Sequence, residues 1–140
     1  MRTATAARPL PGTAPGTLWT RLLTIERWPA WAGPGVTRAA PGAAPGVWRL
    51  NGALGRLGYA GGFTLVEHAL GQRLYLESLT PSTPFDSIIH DLELAPGGGS
   101  LTWRTHYQVG GGPGGWLLTT LATRRQLPEQ LAAGLERLLG

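Results

Sequence analysis

Histidine is the side chain that changes charge near neutral pH without help from its surroundings, and this chain has three: His68, His90 and His106. An inward-facing histidine beside a hydroxyl can exchange a proton with a bound molecule or orient it by a hydrogen bond. His90 lies in FDSIIHDLELA and His106 in SLTWRTHYQV, two runs with the period-two alternation of strands. In the first run Ile88, His90, Leu92 and Leu94 share one face, while Ile89, Asp91 and Glu93 share the other. In the second run Leu101, Trp103, Thr105, Tyr107 and Val109 share a face, opposite Thr102, Arg104, His106 and Gln108. The apolar sets must turn to the core. His90 is therefore expected inside, with Tyr107 and Thr105 as neighbouring hydroxyls, and His106 outside among charges. If the protein is an enzyme, His90 as general acid–base and Tyr107 as its partner are the candidate catalytic pair. The plainer alternative is a core histidine satisfied by a tyrosine or a backbone carbonyl.

Other chemistries find no support in the residues. The three histidines have no H-x-x-x-H or H-x-H spacing and no carboxylate cluster beside them, so no metal site is expected. Cysteine is absent, which removes disulfides, thiolate ligands and thiol nucleophiles. The PGGGS and GGGPGG runs lack a following Lys–Ser/Thr and dinucleotide spacing, so they are turns and no cofactor is expected. No G-x-S-x-G occurs. Asp91 and Glu93 are expected to be solvated on the outer face and not to form a catalytic pair.

The elements that position these residues follow from spacing. Arg2 to Leu10 alternates loosely, and Pro9 and Pro11 confine it to a sheet edge. In TAPGTLWTRLLTIERWPAW, Thr13 is a candidate N-cap and Pro15 fits a first helical turn. Leu18, Leu22, Trp19 and Leu23 then form one apolar face. Ile25 to Trp31 reads as a second short helix, ended by Pro29 and AGPG. VTRAA, VWRLN, FTLVEHAL, RLYLESL and the two runs above read as strands. Hairpin turns fall at Gly71–Gln72 and at PGGG, and a Gly-rich stretch lies between VWRLN and Tyr59. Pro113 to Leu139 returns to helical spacing, with Leu117, Leu121, Leu131, Leu135 and Leu138 on one stripe. Arg124, Arg125, Glu129 and Glu136 lie largely off it, and Pro128 should kink or break the helix. Gly110–Gly115 reads as the hinge before it. The expected fold class is α+β, a helix-grip arrangement. A curved antiparallel sheet of six to seven strands wraps a long C-terminal helix, with two short helices after the first strand. Such a curve leaves a cavity unless bulky side chains fill it.

Aromatic residues are candidates to line that space. Trp103 faces inward, and Trp48, Tyr59, Phe63 and Trp116 are further candidates for a stacking surface. Six tryptophans in 140 residues exceed what packing alone usually needs.

The composition limits partners. Hydrophobic residues are 42% and charged residues 14%, a globular balance, and the length suits a single domain over residues 1–140. Every basic residue is arginine, and the net charge is +4. The arginines are scattered, with only Arg124 and Arg125 adjacent, so no nucleic-acid-binding stripe forms. No run approaches the ~18 apolar residues of a membrane span, and MRTATAARPLPG has no apolar signal core. A cytoplasmic protein, monomeric or homodimeric, is expected.

LWTRLLTIERWPAW, FTLVEHALGQRLYLES, HDLELAPGGGSLTWRTHY and the C-terminal LPEQLAAGLERLLG, in this order, resemble the START-like (SRPBCC) superfamily. That superfamily includes polyketide cyclases and lipid-transfer domains. The likeness spans nearly the whole chain. It implies the helix-grip fold and a cavity for a small apolar molecule, with the second short helix at the mouth, so that Trp28 or Trp31 touches ligand. The resemblance carries no fixed catalytic set. The leading expectation is binding of a small hydrophobic or aromatic molecule between sheet and C-terminal helix by Trp31, Trp48, Tyr59, Phe63, His90, Trp103, Thr105, Tyr107 and Trp116. Two alternatives stay open. One is a polyketide cyclase, aromatase or dehydratase using the same cavity; the other is a protein-interaction or stress-regulatory module without a ligand.

Overall fold

The computed structural model describes residues 1–10, 12, 15–110, 112, 117 and 126–140. Strand β1 (Arg2–Pro9) leads to helix α1 (Pro15–Leu23), a 3₁₀ turn (Ile25–Arg27) and helix α2 (Trp28–Ala32). Six strands follow: β2 (Arg38–Pro41), β3 (Val47–Leu54), β4 (Leu57–His68), β5 (Arg73–Ser78), β6 (Phe85–Leu94) and β7 (Ser100–Val109). Helix α3 (Gln126–Leu139) closes the chain. All seven strands form one antiparallel curved sheet in the order β1-β7-β6-β5-β4-β3-β2. Both edge strands end in proline, Pro9 in β1 and Pro41 in β2, where a missing N–H costs no ladder bond. Among the described residues, no helix is long and apolar enough to cross a membrane.

The short helices form as the spacing predicts. Pro15 opens α1, and Leu18, Trp19 and Leu22 are its buried face. The expected second helix is a 3₁₀ turn continued by α2, with Pro29 in the first turn of α2. Thr13, Leu121, Arg124, Arg125 and Trp116 lie outside the described residues, as does most of the Gly110–Gly115 hinge.

Two features depart from the spacing, and a third is only partly described. The stretch before Tyr59, read as a Gly-rich connection, belongs to β4, which starts at Leu57 and pairs with β3 through Gly58, Gly61 and Gly62. Ladder hydrogen bonds to β3 override the low strand propensity of glycine there. Pro128 sits in the first turn of the described α3, which runs on past it, and the preceding part of the segment that it was expected to kink or break lies outside the described residues. Leu117 is exposed and off the buried stripe, which is made by Leu127, Leu131, Leu135 and Leu138.

Helix α3 packs against β1, β7 and α2. Alanine at the inward positions of β1, Ala4 and Ala6, lets the helix come close. At the crossing, a Cβ added to Gly134 would lie 2.7 Å from Trp103 Cζ3 and 3.2 Å from the Trp31 carbonyl. Trp103 is fully buried, so its ring would have to shift within the core to admit a methyl group there. Gly134→Ala should therefore destabilise the protein by about 2 kcal/mol, although alanine is the better helix former. Urea unfolding checks this, and an equal or raised stability would show that α3 can slide off Trp103.

Candidate functional site

Inward side chains of β4, β6 and β7 meet α2 and the loop after it around His90. One rung of the sheet runs Leu76–His90–Thr105–Ala4 from β5 to β1, and all four side chains point to the helix side. The His90 ring is enclosed by aromatic rings. Tyr59 lies at 5.8 Å between centroids, Phe63 and Trp103 at 6.0 Å, and Trp28 at 6.3 Å.

The hydrogen bonds fix the protonation of this cluster. The Tyr59 hydroxyl is 2.5 Å from the Gly35 carbonyl oxygen and 2.9 Å from His90 Nε2. A carbonyl only accepts, so the single phenolic proton goes to Gly35, and His90 Nε2–H donates to the Tyr59 oxygen. That assigns Nδ1 as the unprotonated nitrogen, with the Thr105 hydroxyl 3.5 Å away as its donor. Burial pushes the His90 pKa down to about 4 and the Tyr59 phenol up. At neutral pH both groups are uncharged, as burial without an ionic partner requires.

Gly35 reaches Tyr59 because β3 carries glycine at the crossing. A Cβ on Gly52 would collide with the Gly35 carbonyl and come within 2.9 Å of the Tyr59 hydroxyl. No larger residue fits without moving the oxygen that Tyr59 bonds.

Next to this pair stand three tryptophans in contact. Trp28 and Trp31 have centroids 5.0 Å apart, and Trp31 and Trp103 lie 5.3 Å apart, edge to face. Trp28 Nε1 donates to the Leu22 carbonyl at 2.8 Å. The Nε1–H groups of Trp31 and Trp103 are buried and have no hydrogen-bond partner among the described residues. Leaving such a donor unpaired costs about 1–3 kcal/mol.

The residues singled out from sequence thus fall into three groups. Tyr59, Phe63, His90, Trp103 and Thr105 come together, with Trp31 joined through Trp103. Tyr107 is buried on the same face but stacks edge-on against Phe85 at 6.0 Å, and Trp48 is half-buried at the far end of β3, opposite Phe63 in the register. Trp116 lies outside the described residues. The tyrosine bonded to His90 is Tyr59, on a strand two places away in the sheet.

Two polar residues escaped the sequence reading. Gln130 lies on the apolar stripe of α3, where its amide accepts from Gly55 N–H at 3.1 Å and donates to the Ala53 carbonyl at 2.7 Å. Its i, i+4 spacing with Gly134 was the available signal. Arg137, near the end of α3, donates from Nε to the Trp31 carbonyl at 3.1 Å and from a terminal nitrogen to the Gly33 carbonyl, tying the helix to α2.

The outer face carries a correction. Asp91 is not solvated: it is fully buried beneath longer neighbours. Arg73 donates two hydrogen bonds to it, at 3.1 and 2.8 Å, His106 Nε2 lies 3.1 Å away, and Arg104 reaches within 3.9 Å. Arginine stems lie down across a sheet and cover what is short beneath them. Glu93, about a third exposed, meets Arg104 at 3.1 Å. His106 Nδ1 is 2.8 Å from the Thr3 hydroxyl, so this histidine is outside among charges as the alternation predicts. Among the described residues, no group of three metal-ligating side chains gathers.

No protein-family model matches the sequence, and no curated protein matches it. Solved structures do match. TTHA0849 from Thermus thermophilus superposes with a TM-score of 0.76 at 16% identity, covering 99% of this chain and 94% of its own. A START superfamily protein from Mycobacterium smegmatis gives 0.67 at 16% identity over 97% of this chain and 98% of its own. The Zhui aromatase/cyclase from Streptomyces sp. R1128 gives 0.63 at 10% identity over 99% of this chain and 84% of its own. At such identities the likeness establishes architecture alone. With seven antiparallel strands curved against one C-terminal helix and two short helices after the first strand, the chain has the START-like helix-grip fold.

Proposed function

We propose that the protein binds a small, flat, apolar molecule carrying a hydrogen-bond acceptor, between the concave face of the sheet and the C-terminal helix. The observation that carries this reading is the pair of buried indole N–H groups, on Trp31 and Trp103, that have nothing to donate to among the described residues. They lie in a wall of aromatic surface, where a ring-shaped guest gains by apolar burial at ~25 cal/mol per Å² before association costs. A guest carbonyl or hydroxyl oxygen would satisfy one or both donors. Phe63, Tyr59, His90, Thr105 and Tyr107 would complete the wall, with Trp48 at its far end. Trp31 is 6% exposed, and a turn of its ring would open the cluster to the guest. Catalysis would require His90 to trade a proton with the guest. Both its ring nitrogens already have protein partners, so binding is the better-supported reading.

Fluorenone and fluorene share a flat three-ring body and differ in the ketone oxygen. Calorimetry should find fluorenone bound more tightly than fluorene by the wild-type protein. Trp103→Phe keeps an aromatic ring and deletes one donor. It should weaken fluorenone binding about five-fold, the size of one neutral hydrogen bond, and leave fluorene nearly unchanged. Equal affinities for the two molecules in the wild type would remove the indole donors from the account.

A further inference from the structure

We infer a second binding site, for a small organic anion, in the groove between the end of α3 and the α1–3₁₀–α2 corner. The groove has a volume of about 490 Å³ and is lined by Arg21 from α1, Arg27 from the 3₁₀ turn, Trp31 and Ala30 from α2, and Arg137 and Leu138 from α3. Three guanidinium groups from three elements converge on it, and its lining contains no carboxylate.

Two of the arginines, Arg137 and Arg21, are held in place without being neutralised. Arg137 is fixed by the carbonyls of Trp31 and Gly33, and Arg21 donates to the Leu138 carbonyl at 3.4 Å. A carbonyl anchors a guanidinium but carries no net charge to cancel it. Each anchored guanidinium has five N–H donors, most of them still unspent. Arg27 is exposed and makes no ion pair among the described residues. Glu136, next to Arg137 in sequence, is paired instead with Arg8 at 3.2 Å.

Such a rim matches a carboxylate or phosphate, whose oxygens the guanidinium fork accepts two at a time. Below it lie Trp31, Ala30 and Leu138, an apolar floor for a ring or short chain. The geometry therefore suits an amphipathic anion, with oxyanion at the rim and hydrophobic body on the floor. The site differs from the concave cluster, although Trp31 belongs to the wall of both.

Naphthoate and naphthyl phosphate, with naphthalene methanol as the uncharged control, test this by calorimetry on the full chain. At least one anion should bind the wild-type protein at least ten-fold more tightly than the alcohol, and its affinity should fall as salt is raised. Arg27→Gln and Arg21→Gln should each weaken the anion about ten-fold and the double variant more, with the alcohol unaffected. Both side chains are exposed, so folding should survive; an unchanged thermal midpoint verifies that, and Arg27→Glu serves as a second variant that should abolish anion binding. Fluorenone binding should be unchanged in all of them, which separates this site from the concave one. Anion and alcohol bound alike, or anion affinity indifferent to Arg21 and Arg27, overturns the proposal.

Discussion

His90→Gln should remove about 3 kcal/mol of the acid-driven loss of stability that the wild-type protein shows between pH 6.5 and pH 4. The buried imidazole is neutral, with a pKa lowered from 6.5 to about 4 by desolvation. In the unfolded chain the same ring titrates near 6.5. Between those values the unfolded chain binds a proton that the folded chain refuses, so acid favours unfolding. The contribution is fully present above pH 6.5 and is lost as pH falls toward 4. At about 1.4 kcal/mol per pH unit the total is about 3 kcal/mol. The other ionisable groups are common to both proteins and cancel in the difference. Urea unfolding at neutral pH should show the glutamine variant less stable than wild type, because the Tyr59 hydroxyl loses its ring partner. The gap should close by pH 4.5. Parallel pH curves for the two proteins would mean that His90 is not buried as a neutral ring.

Asp91→Ala should cost about 3 kcal/mol, a large effect for a residue on the outer face of a sheet. Removing the carboxylate takes away the buried anion that Arg73, Arg104 and His106 share, and leaves the two arginines only the partly exposed Glu93. Breaking a buried ion pair by deleting one partner typically costs about 3–5 kcal/mol. The arginine side chains are roughly 30% exposed and can rehydrate, which sets the lower end of that range. In the wild type the hydrogen bond to Asp91 raises the Arg73 pKa; without it the guanidinium still stays charged, because arginine keeps its proton far above neutral pH. Glu93→Ala, two residues along the same strand face, is the contrast. Its carboxylate is 35% exposed, and its loss should cost under about 1 kcal/mol. Chemical denaturation of the two variants side by side distinguishes them. Similar small losses would show that Asp91 is hydrated in solution.

Period-two alternation proved sufficient to sort β6 and β7. Ile88, His90, Leu92, Leu94, Leu101, Trp103, Thr105 and Tyr107 are all buried, as their face requires. The order of elements and the apolar stripe of α3 were legible for the same reason: burial on one face leaves a period in the sequence. What alternation cannot give is register between distant strands. Tyr59 meets His90 across 31 residues because β4, β5 and β6 pair at particular offsets, and nothing local to either residue encodes that offset. Tyr107, only two positions from Thr105, looked nearer and is not the partner. Asp91 fails for a related reason. Its face is readable, but whether Arg73 and Arg104 fold over it depends on neighbouring strands. The glycines of β4 misled because a propensity averaged over many proteins yields to a particular ladder.

Two buried indole donors waiting for an acceptor underlie the proposed binding. An isotope-labelled sample should give six tryptophan indole N–H signals by NMR, assignable by single Trp→Phe replacements. Adding fluorenone should move the Trp31 and Trp103 signals downfield, toward hydrogen-bonded positions, while the Trp28 signal, already bonded to the Leu22 carbonyl, stays within its usual range. If saturating fluorenone leaves Trp31 and Trp103 in place and shifts only surface groups, the concave face is a packed core and the binding account is wrong.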